Sequence, residues 1–320
     1  MYERKESQAY ISKNLTTKPN TPGRFIVWFR NETTLLTLWQ PPYPAGFYTD
    51  YKVSIDPEDA NVSETYVPKG GEPPGPAQWA FNGLFPGRAY NISVQTVSEG
   101  QFSDPITVKY RTVPLKPHNI TFNPNTIDTN YFSLKWSAPS RVSEFDRYKV
   151  NIGIEIDTEG ILVPMGTPQI ILRSEPLVAR FTEDLMPGRT YLVDVMTVSG
   201  DVVSWPAIGN VTTRPLPVRN LRSFNDYNDP VTSDIKLFWE GHPDSQQDQY
   251  KITYSELEKI NGDISTVFVE DPFFNMKNLQ SGRNYSIEVQ AVSDNMESLG
   301  KKTYQAIPPR TTFIKVVKQL

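Results

Sequence analysis

A run of the form Leu-x-Pro-Gly-Arg-x-Tyr recurs along the 320-residue chain, and nothing else in the sequence limits its fold as tightly. The copies are Leu84-Phe85-Pro86-Gly87-Arg88-Ala89-Tyr90, Leu185-Met186-Pro187-Gly188-Arg189-Thr190-Tyr191 and Leu279-Gln280-Ser281-Gly282-Arg283-Asn284-Tyr285, with serine for proline in the last. Proline pre-sets φ and glycine supplies a positive φ, so each run reads as a sharp turn carrying the chain from one layer to another. Each continues with alternating β-branched positions, Ile92 and Val94, Val193 and Val195, Ile287 and Val289. Each then reaches Val-Ser with a second serine five residues on, at Ser98 and Ser103, Ser199 and Ser204, Ser293 and Ser298. Upstream, Trp39, Trp136 and Trp239 each precede a Tyr-Lys strand at Tyr51, Tyr148 and Tyr250. The tryptophans lie 97 and 103 residues apart, a period of one small domain and not of a solenoid repeat.

Period-2 alternation makes these segments strands, and no helical periodicity of useful length competes with it. Phe132, Leu134 and Trp136 share a face, as do Ile235, Leu237 and Trp239. The first copy reads Leu35, Thr37, Trp39, which predicts a slightly less apolar core there. Short strands with turns every 8–12 residues predict an all-β fold of three tandem antiparallel sandwiches. Trp39, Tyr90, Trp136, Tyr191, Trp239 and Tyr285 are the expected core, with each corner tyrosine returning its hydroxyl to the backbone.

These residues resemble fibronectin type III modules, an immunoglobulin-like sandwich without the disulfide. The resemblance covers nearly the whole chain: modules over 21–114, 115–215 and 216–308, a last strand of a preceding module over 1–20, and a first strand of a following one over 309–320. Glu6-Ser7 and Thr16-Thr17-Lys18-Pro19 carry the first fragment, Ile314-Lys315-Val316-Val317 the second. Orphan strands bury no face alone, so both ends are expected to pack poorly or to dock artificially. The phrases Pro114-Leu115-Lys116-Pro117 and Arg214-Pro215-Leu216-Pro217 resemble the extracellular region of receptor-type tyrosine phosphatases, particularly insect members with a long array and one cytoplasmic catalytic domain. That resemblance implies a single-pass membrane parent, a protein ligand on another cell or in the matrix, and roles in cell–cell signalling and axon guidance. Two other parents fit the modules: a structural array of an intracellular muscle-type or other adhesion protein, and a secreted carbohydrase using them as a spacer.

Composition narrows the chemistry. With no cysteine the chain has no disulfide, thiolate metal site or thiol nucleophile, so the phosphatase reaction would belong to another domain. Two histidines, His118 and His242, leave little for a triad or a His-rich metal site. A net charge of −4 argues against a nucleic-acid partner. Asp56, Glu58 and Asp59 read as a solvated loop rather than an acid–base pair, and Lys69-Gly70-Gly71-Glu72-Pro73-Pro74 lacks phosphate-loop spacing. Asn225-Asp226-Tyr227-Asn228-Asp229-Pro230 reads as an Asx-turn loop rather than a calcium site. The chain is therefore expected to be non-catalytic, with neither cofactor nor metal. No signal peptide or membrane span is seen in the sequence.

Seven Asn-x-Ser/Thr sequons, at Asn14, Asn31, Asn61, Asn91, Asn119, Asn210 and Asn284, point to the extracellular side of the plasma membrane. Asn91 and Asn119 alternate with apolar neighbours and are expected to face outward. Trp28, Tyr43, Phe47, Tyr48 and Trp205 lie outside the repeated core pattern and are the candidate ligand contacts, since aromatics dominate interface hot spots. Packing between modules or at a sheet rim is the competing reading for each.

Overall fold

The computed structural model describes residues 12–309 apart from 14, 156–161, 227–233 and 259–262. The described chain is three consecutive two-layer β-sandwiches. The first contains β1 (Phe25–Arg30), β2 (Thr34–Trp39), β3 (Asp50–Asp56), β4 (Glu64–Pro68), β5 (Ala77–Asn82), β6 (Ala89–Ser98), β7 (Gln101–Phe102) and β8 (Ile106–Arg111). One sheet has the order β1-β2-β5; the other is β4-β3-β6-β7, with β8 also pairing β6. The second contains β9 (His118–Phe122), β10 (Phe132–Ser137), β11 (Arg147–Glu155), β12 (Leu162–Leu172), β13 (Val178–Phe181), β14 (Thr190–Ser199), β15 (Val202–Val203) and β16 (Ala207–Thr212). The third contains β17 (Arg219–Asp226), β18 (Asp234–Glu240), β19 (Gln249–Glu256), β20 (Ser265–Val269), β21 (Phe273–Met276), β22 (Asn284–Ser293), β23 (Met296–Glu297) and β24 (Lys301–Ala306). Both repeat the first topology, β13-β10-β9 against β12-β11-β14-β15 with β16, and β17-β18-β21 against β20-β19-β22-β23 with β24. A single 3-10 turn, Pro124–Thr126, is the helical content of the described residues.

Each sandwich closes its own core, because the inward positions of its alternating strands are predominantly apolar. Trp39, Trp136 and Trp239 are buried, each edge-on to the tyrosine of the adjacent strand, Tyr51, Tyr148 and Tyr250, at 5.3–5.5 Å between ring centres. Burial of each such ring contributes a few kcal/mol. Thr37, the polar exception, is fully buried and donates its hydroxyl to Trp79 O at 2.7 Å. That bond offsets the cost of placing a hydroxyl where the other modules carry Leu134 and Leu237.

The corner geometry is the same three times. Gly87, Gly188 and Gly282 have φ of 75°, 73° and 74°, which only glycine adopts without strain. The hydroxyls of Tyr90, Tyr191 and Tyr285 accept hydrogen bonds from Phe85 N, Met186 N and Gln280 N at 2.8, 2.6 and 3.0 Å. The second repeated serine closes the neighbouring hairpin: Ser103, Ser204 and Ser298 Oγ accept from Thr96 N, Thr197 N and Ala291 N at 3.0, 3.0 and 2.9 Å.

One expectation needs correction. Asp59 is not a free loop carboxylate: it accepts hydrogen bonds from Tyr90 Oη and Arg88 Nη1, both at 2.8 Å. Partial burial opposes ionisation, but these two bonds hold its carboxyl below the ordinary range. The described part of the N-terminal segment, residues 12–13 and 15–20, is exposed except at Pro19, with Leu15 80% exposed, as expected of an orphan strand, and is held by a few polar contacts. Lys18 pairs with Asp104 at 2.5 Å, and Asn20 O accepts from Thr96 Oγ1 at 2.5 Å, because the segment lies on the end of the first module. Glu6-Ser7, residues 310–320 and most of the Asn225–Pro230 stretch lie outside the described residues.

Candidate functional surfaces

Four of the five candidate contact aromatics reach solvent. Trp28 is 72% exposed on β1, where the pairing with β2 shifts between Val27 and Phe29, so Trp28 is the extra residue of a bulge. The bulge also turns Phe29 outward, beyond what simple alternation indicates. Tyr43, 95% exposed, and Phe47 sit on the loop between β2 and β3, and Trp205 follows β15. Tyr48 is a correction: it is 3% exposed, packs on Tyr51 at 5.1 Å and shares a 2.7 Å hydroxyl contact with it. Its position beside the Tyr51 strand makes it core, which raises the pKa of Tyr51 through burial and this hydrogen bond.

The sequons differ in accessibility. Asn61, Asn91, Asn119 and Asn210 are exposed. Asn119 has φ 52°, at the bulge where β9 leaves β10, so its outward position reflects that kink as well as alternation. Asn31 and Asn284 are half-buried and engaged, Asn31 Oδ1 accepting from Thr33 N and Asn284 Nδ2 donating to Glu258 Oε1, each at 2.9 Å. Asn14 lies outside the described residues.

A further aromatic cluster lacks any repeat signal. Phe224, Phe238 and Phe273 lie exposed on the outer face of the β17-β18-β21 sheet, with Phe224 and Phe238 edge-on at 6.3 Å. Their alternation with Ser223, Leu237 and Phe274 would have shown it. On the same sheet of the second module the outward positions of β10 are Ser133 and Lys135. Among the described residues no group of His, Asp or Glu could hold a metal, and no helix is long and apolar enough to cross a membrane.

The other distinctive sites are the module junctions. The first corner meets the second module through Glu144 N, which donates to Pro86 O at 2.9 Å, and Ser199 Oγ, which donates to Gly87 O at 2.7 Å. Arg111 Nη1 also donates to Gly87 O at 2.7 Å, and Arg88 pairs with Glu144 at 2.6 Å. The second junction repeats the plan: Gln246 N donates to Pro187 O at 2.9 Å and Ser293 Oγ to Gly188 O at 2.6 Å. In both, the loop serine accepts from the linker, Leu115 N to Ser143 Oγ and Leu216 N to Ser245 Oγ, at 3.0 Å. Contact is so close that a Cβ on Gly87 or Gly188 would lie 1.8 Å from Glu144 O or 2.0 Å from Gln246 O. The turn residues therefore serve twice, once within a module and once between modules.

The family model and sequence relatives agree with this architecture. The family model for the fibronectin type III domain matches residues 20–109 and 218–304, more than half the chain. Human (Homo sapiens) tenascin-R is 25% identical over 286 residues, covering 89% of this chain and 19% of that protein. The collagen alpha-1(XII) chain of Oryctolagus cuniculus is 27% identical over 300 residues, covering 91% of this chain and 43% of its own. The chain thus spans less than half the length of these relatives. Among solved structures, the chicken CNTN1 FN1–FN3 segment aligns with a TM-score of 0.34 at 14% identity, covering 91% of this chain and all of that one. The middle module, outside the matched ranges, has the same sheet topology as its neighbours. With three sandwiches of one topology and the matched family model, the chain belongs to the fibronectin type III family.

Proposed function

We propose that the chain is a ligand-presenting spacer of an extracellular adhesion or receptor protein. One observation carries this reading: two junctions of one hydrogen-bonded design stack the modules, while Trp28, Tyr43, Phe47 and Trp205 remain at the surface. Prolines 114 and 117, then 215 and 217, restrict the linkers, so the array holds a ligand at a set distance from its anchor. The chain is a fibronectin type III array resembling extracellular matrix and adhesion proteins, and fibronectin type III modules are non-catalytic. Protein ligands suit such a surface, because exposed aromatics anchor protein interfaces.

The finer reading places the array, with modules at 21–114, 115–215 and 216–308, in the ectodomain of a single-pass receptor tyrosine phosphatase acting in cell–cell signalling and axon guidance. The linker phrases around Leu115 and Leu216 support it. A matrix parent is the second reading, favoured by the tenascin-R and collagen XII relatives. Staining cells that display a surface-protein library with the tagged chain tests the ligand-binding claim. Specific binding weakened by Trp28→Ala, Phe47→Ala or Trp205→Ala, with folding intact, is the expected result; no binder in the library refutes it. Glycosidase treatment of the chain secreted from eukaryotic cells tests the compartment. A mass loss mapping to Asn61, Asn91, Asn119 or Asn210 is expected, and an unchanged mass removes the extracellular reading.

A further inference from the structure

The end of the first module that faces away from the second reproduces the receiving half of both junctions. In the two filled junctions the receiving module offers a loop N–H four residues before the core tyrosine, Glu144 before Tyr148 and Gln246 before Tyr250. It also offers the serine that ends the long central strand, Ser199 or Ser293. In the first module those positions are Phe47, four residues before Tyr51, and Ser98 at the end of β6. Ser98 is 3% exposed, yet among the described residues neither its Oγ nor Phe47 N has a hydrogen-bond partner. Both line a cleft of about 370 Å3 bounded by Thr17, Asn20, Gly46 and Glu99.

The linker side of this third junction is already assembled. Asn20 O accepts from Thr96 Oγ1 at 2.5 Å, as Leu115 O accepts from Thr197 Oγ1 at 2.7 Å. Thr16 Oγ1 donates to Glu99 at 2.5 Å, as Thr212 Oγ1 donates to Asp294 at 2.9 Å in the second junction. Asn20 Nδ2 donates to Pro44 O at 2.9 Å, tying linker to loop where Gly46 has replaced the serine used elsewhere. Thr17 stands where Thr112 and Thr213 do, and those donate to Phe85 O and Met186 O of the corner at 2.7 Å. Among the described residues, only the corner itself is missing from the set.

We propose that this cleft is a socket for the glycine corner of another fibronectin type III module. Ser98 Oγ donates to the corner glycine's carbonyl, and Phe47 N to the carbonyl of the residue before it. The occupant is defined by backbone: two successive outward carbonyls, with the second on a glycine of positive φ, since a Cβ there meets the receiving loop. The socket also differs from its siblings in selectivity. Where Glu144 pairs with Arg88, Phe47 presents a ring, so the position after the corner glycine faces an apolar surface or stacks a cation on it without a carboxylate partner. The proposal rests on the family assignment and the two filled junctions, and it is independent of the ligand reading.

The test extends the full chain. A duplicate of residues 20–110, which carries a complete module core, is joined ahead of Thr16, which stands where Arg111 does, so that the added corner stands one linker of native length from Ser98. Because the chain lacks cysteine, a pair of introduced cysteines carries spin labels across the added junction and a second pair across the junction of the first and second modules. The expected result is a distance distribution at the added junction as narrow as at the native one. Ser98→Ala, and separately alanine for the glycine of the added corner, should each broaden it. Ser98→Ala in the unextended chain should leave the melting temperature unchanged, which separates a lost contact from a folding defect. A distribution broad from the start, or a narrow one indifferent to both substitutions, overturns the proposal while leaving the family assignment and the ligand reading untouched.

Discussion

Alanine at the corner glycines separates what these residues do within a module from what they do between modules. Gly188 and Gly282 have the same backbone, φ 73° and 74°, so Gly188→Ala and Gly282→Ala incur the same left-handed strain of about 1–2 kcal/mol. Their surroundings differ. A Cβ at Gly188 would lie 2.0 Å from Gln246 O of the third module, whereas at Gly282 the nearest described atom is Pro309 Cβ at 3.7 Å. Only Gly188→Ala must therefore push a neighbouring module away, by about 1.5 Å if ordinary contact is to be restored. That movement breaks Gln246 N to Pro187 O and Ser293 Oγ to Gly188 O, two bonds worth about 1 kcal/mol each. A loss of about 2 kcal/mol shifts the docked-to-undocked ratio roughly 30-fold. Spin labels on cysteines introduced at the exposed Lys135 and Lys277 report it by electron–electron double resonance, with calorimetry alongside. Both variants should lower the melting of their own module by roughly 5–15 °C. Only Gly188→Ala should broaden the distance between the second and third modules. Equal distance distributions for the two variants would refute the reading that the corner glycine is a junction contact.

The remaining predictions concern single modules. The folded pKa of Asp59 is depressed, so its stabilisation is complete above the ordinary carboxylate range and is lost as pH falls through the folded value. Asp59→Asn should flatten the acid limb of first-module melting measured from pH 7 to 3. Asp194 behaves oppositely: burial raises its pKa despite the 2.6 Å bond from Asn151 Nδ2, so the folded state loses stability as pH rises between the unfolded and folded values. Asp194→Asn should therefore stabilise the second module at neutral pH, within the ~0.5–2 kcal/mol usual for relieved defects, and denaturant midpoints check it. Tyr191→Phe leaves Met186 N without its acceptor and should cost about 1–3 kcal/mol, with faster amide exchange at Met186. Trp39→Ala should cost about 3–5 kcal/mol, whereas exposed Trp28→Ala should stay within about 0.5 kcal/mol; urea melts distinguish them.

Much of this protein follows from its sequence alone. Alternation at Phe132-Leu134-Trp136 and its counterparts specifies strands with one apolar face, and three tyrosine corners at a ~100-residue period specify three sandwiches. These are local and periodic signals, so they survive without knowledge of any partner. Sequence also singles out Trp28, Tyr43, Phe47 and Trp205, because each departs from the repeat. It misplaces Tyr48, since loop residues beside a strand alternate with no fixed period, and the Tyr48–Tyr51 contact forms only when the loop folds over the core. Asp59 eludes it likewise: the pairing with Arg88 and Tyr90 joins residues 29 and 31 positions apart.

The repeated Val-Ser shows the division most clearly. The sequence establishes that Ser98, Ser199 and Ser293 recur, and by itself assigns them nothing beyond a strand end. Tertiary structure decides their use, because a corner carbonyl and a strand-end hydroxyl 112 positions apart meet only when one module stacks on the next. Chain patterning thus determines each sandwich, while the joints depend on backbone atoms whose positions no side-chain pattern records.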